Sequence, residues 1–460
     1  MGIYGALNNA VSGLQAQSFA LEQISGNIAN SQTVGYKRSE TSFVDMINES
    51  TSTQQAPGGV SASTRATNDV QGALQMSSVE TFMAISGDGY FVVSQALGEL
   101  DGELNFDTTD VYTRRGDFQL DRNGYLVNGS GYFLQGLEID PATGNAAGSV
   151  PGPVRIENDF LPAQATSQIN YELNLARFPL TSRADPAIPG SELLDPTQFQ
   201  NDPTVVPATA TDGFIRGDDV TVFLESSIAG GATTVYDAAG APVNVQFRWA
   251  KIDSAASGGV DSWQLYYLSD STATGAAPAW RNTGSTYTFA ADGTLTAPTT
   301  DPTINFNVGG SVVSNVRLRH DTTGVTQFSD PSGNAQLTDL SQNGFAAGEL
   351  VGVAVSESGR LVATYANGQV ADVAEVAVVT FNGDSALKKL DGGAFQATRE
   401  SGDAILVDAS GVTGGALEMS NVDISDEFTK LIVTQQAYSA STRIVTVSDE
   451  MMQEALGMVR

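Results

Sequence analysis

The chain has 460 residues, 41% of them hydrophobic, with no cysteine and 52 acidic against 22 basic side chains, a formal charge of −30. That length and apolar content predict two to four folded domains rather than a disordered chain. The charge repels nucleic acid and anionic membrane surfaces, and the lack of cysteine excludes disulfides, thiolate metal sites and cysteine nucleophiles.

At the N-terminus Leu7, Leu14, Leu21 and Ile28 recur every seven residues, beside Ile3, Ala10, Gln17 and Ile24 at the companion heptad position. The pattern predicts a helix over residues 1–30, weakened by Gly5, Gly13 and Gly26. Lys37 is the first basic residue, so no charged secretion leader is expected, and Ala6 argues against myristoylation at Gly2. Residues 31–70 are rich in Ser, Thr, Gln and Gly and read, with 403–419, as an extended linker region.

Strand and turn signals follow. Met83, Ile85 and Tyr90–Val93 flank the turn Gly87-Asp88-Gly89, and Asn123-Gly124 and Asn128-Gly129 separate short aromatic runs. Residues 71–145 with 344–402 are therefore expected to share an inner β-domain. Between them, 146–343 turns to Pro, Ala, Thr and Asp and is expected to be an inserted outer β-domain, or two. Its clearest strand alternates Val243, Val245, Phe247 and Trp249 with Asn244, Gln246 and Arg248.

The C-terminal pattern is longer. Ile424, Leu431, Tyr438, Val445, Met452 and Val459 form one seven-residue ladder, and Ala437, Ile444, Met451 and Met458 a second. Asp423 or Ser425 suits the start of such a helix, and Asp426 and Glu427 suit its positive end. The expected fold class is thus α+β and multidomain. Paired, coiled-coil-like terminal helices (1–30 with 420–460) carry nested, mainly antiparallel β-domains. Two striped helices at opposite ends of one chain need partners. Leu7, Leu14, Leu21, Ile28, Ile424, Leu431, Tyr438, Val445, Met452 and Val459 are therefore the candidate subunit-interface residues.

Catalytic chemistry finds little support. His320 is the only histidine, lies in an alternating strand-like context and has no G-x-S-x-G partner motif. Zinc sites need several His or Cys ligands, and the glycine-rich spots match no phosphate-binding pattern. Asp218 and Asp219 are one acidic pair among many in so acidic a chain. No enzyme activity, cofactor or metal is expected.

Four blocks, in order, resemble one family. "SGLQAQSFALEQISGNIANSQTVGYKRSETSF" (Ser12–Phe43), with Asn27, Asn30 and Gly35-Tyr36-Lys37, is similar to the N-terminal signature of the flagellar rod and hook axial proteins. "MAISGDGYFVV" (Met83–Val93), "YTRRGDFQLDRNGYLVNGSGYFLQG" (Tyr112–Gly136) and "LEMSNVDISDEFTKLIVTQQAYSASTRIVTVSDEMMQEAL" (Leu417–Leu456) resemble the later blocks. Within the insertion, "TTVYDAAGAPVNVQFRW" (Thr233–Trp249) looks like a second hook domain, which favours hook over the shorter distal rod proteins. The resemblance implies a structural subunit exported unfolded by the flagellar type III apparatus, without a cleaved signal peptide. It would polymerise with itself into a flexible tube, a universal joint passing motor torque to the filament. Hook cap, distal rod and hook–filament junction proteins are the implied partners, with no nucleic acid and no membrane, and the flagellar hook outside the cell is the implied location. A distal rod subunit is the alternative within the family. From other classes, a secreted β-rich adhesin or surface-layer protein shares the acidity, and a polysaccharide-active enzyme would need carboxylates converging in a cleft.

Overall fold

A computed structural model describes residues 3–50, 55–100, 103–140, 143–156, 160–320 and 324–458. The chain divides into two compact units, one of residues 1–159, 350–365 and 370–460, the other of 160–349 and 366–369.

The first unit holds helix α1 (Ile3–Ala29) and helix α3 (Ile424–Met458), with α2 (Val220–Glu225) lying in the other unit. After α1 come β1 (Ser39–Ser50) and β2 (Gln55–Ala66), an antiparallel hairpin with Ser39 opposite Ala66 and Ser50 opposite Gln55. This corrects the expected linker over 31–70. Gly58-Gly59 reads as flexible spacer, yet a Cβ on Gly59 would sit 2.5 Å from Ser12 Oγ, so the missing side chain is what lets β2 meet α1. Residues 403–419 likewise form strands, with Val412–Gly414 paired to Met83–Ile85 and Ala416–Glu418 to Leu74–Met76.

The sheet of this unit draws strands from both flanks of the insertion. Tyr90–Leu100 lies between Tyr132–Glu138 and Val111–Thr113, and Val370–Val376, Arg360–Tyr365 and Leu350–Val355 extend it beyond Tyr132–Glu138. Side chains alternate across the pleat. Phe91 and Val93 join Phe118, Leu126, Leu134 and Leu361 in one core, whereas Tyr90 and Val92 join Tyr112, Phe381 and Phe395 in another. Both faces are covered, which explains why the run Tyr90–Val93 is apolar without interruption. Val154 and Ile156 also pack in the first core, so 146–159 belong to this unit and not to the insertion as expected.

The second unit contains a mainly antiparallel sheet of Phe214–Arg216, Pro278–Phe289, Ser262–Leu268, Pro242–Asp253 and Ile228–Tyr236. A second sheet is built on Gln168–Asn174, which pairs parallel with Ser311–Arg319 and antiparallel with Gln336–Gln342. Tyr171, Phe247, Trp249, Trp263, Tyr287 and Phe306 share the main core, and Val243, Val245, Phe247 and Trp249 are buried as their alternation requires. Leu194, Phe199, Ile215, Phe223, Tyr266 and Trp280 make a second core on the opposite face. Leu161 bridges to Gly348 and Gln164 to Phe345, so the chain enters and leaves this unit at adjoining points.

His320 is half-buried at the edge of the main core of the second unit, against Tyr171 and Tyr287. Its Nδ1 donates to the Tyr171 carbonyl at 2.9 Å, which fixes the tautomer and leaves Nε2 to accept from the Tyr287 hydroxyl at 2.8 Å. Burial holds the imidazole below its ordinary range of about 6.5, against the Tyr171 carbonyl and Asp301, which favour its charge. The unfolded chain therefore protonates first, and the unit should lose stability as pH falls below about 6.5, by up to about 1.4 kcal/mol per pH unit. The chain's three tryptophans, Trp249, Trp263 and Trp280, all lie in this unit. Urea titrations followed by their fluorescence should show that slope, and His320→Gln should remove the part due to this residue.

Candidate assembly site at the chain termini

Helix α1 packs between α3 and the β1–β2 hairpin. Its buried positions are Ala10, Ala16, Ala20, Ile24 and Asn27, and Gly13 faces Ser441 across the gap to α3. Leu7, Leu14, Leu21 and Ile28 flank this seam and are each half-buried. On α3, Glu427, Thr434 and Ser448 are buried, Ser441 is half-buried, and Leu431, Val445 and Met452 stand half-buried beside them. Glu427, Thr434, Ser441 and Ser448 are each seven residues apart, and that row is polar. Ile424 and Tyr438 are each 40% exposed, and Val459 lies outside the described residues.

The other apolar ladder of α3 does not face α1. Ile444, Met451 and Met458 are exposed, together with Phe428, Ile432, Val433 and Val447. A helix apolar on two sides has one side unused within its own chain.

The base of both helices is fixed by polar contacts that apolar periodicity does not reveal. Lys37 Nζ meets Glu418 Oε1 at 2.6 Å with both side chains fully buried, and Arg114 Nη1 lies 3.4 Å from Glu418 Oε2. Lys37 also donates to the Val70 carbonyl, Arg114 to that of Gly87, and the Gly72 amide to Glu418 Oε1. Burial pushes the Lys37 ammonium down, and the Glu418 carboxylate opposes the shift. Gly35 takes φ +65° and donates its N–H to the Glu418 carbonyl at 2.8 Å. A Cβ there would lie 2.8 Å from the backbone of Arg114 and Arg115, so only glycine fits.

A second set joins the helices directly. Asn27 Nδ2 donates to Glu427 Oε2 at 3.0 Å and to the Ser39 carbonyl, while Asn27 Oδ1 accepts from the Ser39 amide. Asn421 accepts from the Arg38 amide and donates to the carbonyls of Thr67 and Val70. Lys389 donates to the Lys37 carbonyl and Ser39 Oγ, and burial pushes its ammonium down to about 8. Glu418, Arg114, Asn421 and Lys389 carry no periodic signal and escaped the sequence reading. The one available hint was Glu418, an acid in an otherwise apolar run after Gly415.

No helix among the described residues is long and apolar enough to cross a membrane, and no group of three or more His, Asp or Glu there is placed to hold a metal. The arrangement supplies fixed geometry and an exposed apolar face.

Four family models match the chain in sequence order. They are a flagella basal body rod protein model over 7–37, a flagellar hook protein FlgE/F/G D1 domain over 84–170, a flagellar basal body protein FlaE D2 domain over 229–345, and a flagellar basal body rod FlgEFG protein C-terminal model over 413–458. Terminal helices locked to a two-sided β-sheet, in that order of matches, define an axial protein of the bacterial flagellum. Proteins named flagellar hook protein FlgE from Brucella suis and Caulobacter vibrioides are each 28% identical, covering 100% of both chains, and that of Escherichia coli is 27% identical over 97% of this chain and 98% of its own. The chain is thus similar over its whole length to proteins named flagellar hook protein. A crystal structure of Helicobacter pylori flagellar hook protein FlgE2 aligns at TM-score 0.49 with 14% identity, covering 75% of this chain and 99% of that one, a likeness too loose to decide anything further.

Proposed function

We propose that the chain is a structural subunit of the flagellar hook, polymerising with itself into a flexible tube that passes motor torque to the filament, and that it catalyses nothing. The observation that carries this reading is the second apolar side of α3, Phe428, Ile432, Val433, Ile444, Val447 and Met451, exposed on a helix whose first side already meets α1. Such a surface suits a neighbouring copy. In the assembled tube the two helices pair in a coiled-coil-like manner, and Leu7, Leu14, Leu21, Ile28, Ile424, Leu431, Tyr438, Val445, Met452 and Val459 serve the helix pair and its neighbours. Export proceeds through the flagellar type III apparatus, and cap, distal rod and junction proteins are the remaining partners. A match to the D2 domain and hook relatives aligned over the whole chain favour hook over distal rod.

The test is assembly itself. Ammonium sulfate screens the charge of −30 and strengthens apolar association, so the concentrated protein should give short tubes of uniform diameter by negative-stain electron microscopy. A protein that stays monomeric by sedimentation until it precipitates amorphously would overturn the reading.

A further inference from the structure

In the second unit, away from the helices, three ionisable side chains are buried together. Lys251, near the end of strand Pro242–Asp253, has Nζ 3.0 Å from Oδ1 of Asp261, which immediately precedes the neighbouring strand Ser262–Leu268. Glu192 Oε1 lies 3.9 Å from the same Nζ. The side chains of Lys251, Asp261 and Glu192 are 2%, 6% and 0% exposed.

Hydrogen-bond accounting singles out Glu192. Lys251 Nζ has three donors and three acceptors around it, the Arg177 carbonyl at 2.7 Å, Ser254 Oγ at 3.3 Å and Asp261 Oδ1. Glu192 Oε2 accepts from the Gly190 amide, but buried Oε1 accepts from no donor. A buried carboxylate oxygen without a donor is costly and is an open proton acceptor beside the Lys251 ammonium. The group borders a cavity of about 400 Å³ that Arg177, half-exposed, and Phe178 also line.

We infer that this triad is a site of spontaneous amide formation between Lys251 and Asp261, with Glu192 as the proton carrier. Proton transfer from Lys251 Nζ to Asp261 Oδ1, 3.0 Å away, converts the ion pair into a neutral amine and a carboxylic acid. The amine lone pair then attacks Cγ of Asp261. Glu192 takes a proton from the attacking nitrogen and returns one to the departing hydroxyl, in the manner of general acid–base catalysis. One C–N bond forms, one C–O bond breaks, and one water leaves into the cavity. Nothing is oxidised or reduced, and no co-reactant is required. In a chain without cysteine, this chemistry would close the Ser254–Val260 loop covalently.

Intact-mass spectrometry of the folded full-length protein, after prolonged incubation, is the test. The expected result is a loss of about 18 Da, one water, with tandem spectra joining the Lys251 and Asp261 peptides. A succinimide at an Asp-Gly step gives the same mass change but is opened by hydroxylamine, whereas the amide is not. Asp261→Asn keeps the electrophile and should lose about 17 Da, one ammonia, to give the same product. Glu192→Gln, close to isosteric, should fold with unchanged tryptophan fluorescence and keep its full mass. An unmodified wild-type mass, or a Glu192→Gln protein that cross-links as fast as wild type, would overturn the inference and leave the triad an ordinary buried ion-pair cluster.

Discussion

Leu431→Glu and Val445→Glu are each expected to abolish tube formation while leaving the β-sheets of both units folded. Both residues stand half-buried along the α1-facing side of α3, where a carboxylate has no partner cation. Placing a charge there costs several kcal/mol, and every subunit of a polymer bears that cost. Each 1.4 kcal/mol is about tenfold in an association constant, so the critical concentration should rise at least about 100-fold. Val447→Glu, on the exposed apolar side, separates the two roles of the helix. It should leave the α1–α3 contact and the helix content intact yet block assembly just as strongly. Sedimentation and electron microscopy read the polymer, and circular dichroism reads the subunit. Normal tubes from all three variants would remove the helix as the seat of assembly.

The second large effect is expected at Glu418. Glu418→Ala leaves Lys37 and Arg114 buried with no counter-charge, which should cost the first unit about 3–5 kcal/mol. Because the tryptophans lie in the other unit, far-UV dichroism in urea is the appropriate probe, with tryptophan fluorescence as an internal reference that should not move. The surface pair Arg360–Asp372, at a comparable 2.9 Å but with side chains 31% and 39% exposed, provides the contrast. Asp372→Ala should cost less than about 1 kcal/mol. Replacing Lys37, Arg114 and Glu418 together with methionine should recover much of the loss, since no orphan charge then remains. A Glu418→Ala protein as stable as wild type would mean that the cluster is solvated, contrary to its burial.

The apolar alternation in Val243–Trp249 was legible because strand pairing there is local and each buried residue is itself hydrophobic, and the glycine turns around Tyr90 and Tyr125 were legible from their own residues. Both terminal helices were legible for the same reason. Their facing surfaces were not. A ladder search counts Leu, Ile, Val and Met, but the seam between α1 and α3 is made largely of Ala10, Gly13, Ala16, Ala20, Thr434, Ser441 and Ser448, residues chosen for size. Ile444, Met451 and Met458, the companion row by periodicity, are instead exposed. In the stretch read as linker, Ser61, Ser63 and Thr64 are exposed on β2 while Phe43, Val44, Met46 and Ile47 are exposed on β1, and composition alone does not distinguish such a hairpin from a spacer. Lys37 and Glu418 are separated by 381 residues, and nothing local to either shows that it is buried.

Because residues 160 and 349 lie at adjoining points of one unit, the backbone between α1 and α3 makes a detour there and returns to where it left. A pull applied between the two helices therefore has a load path that bypasses the second unit entirely. It runs through the strand pair Leu74–Met76 with Ala416–Glu418, the strand pair Met83–Ile85 with Val412–Gly414, and the Lys37–Glu418 contact. The second unit is an insertion in the chain off that path, so its length or sequence can change without altering what carries the tension.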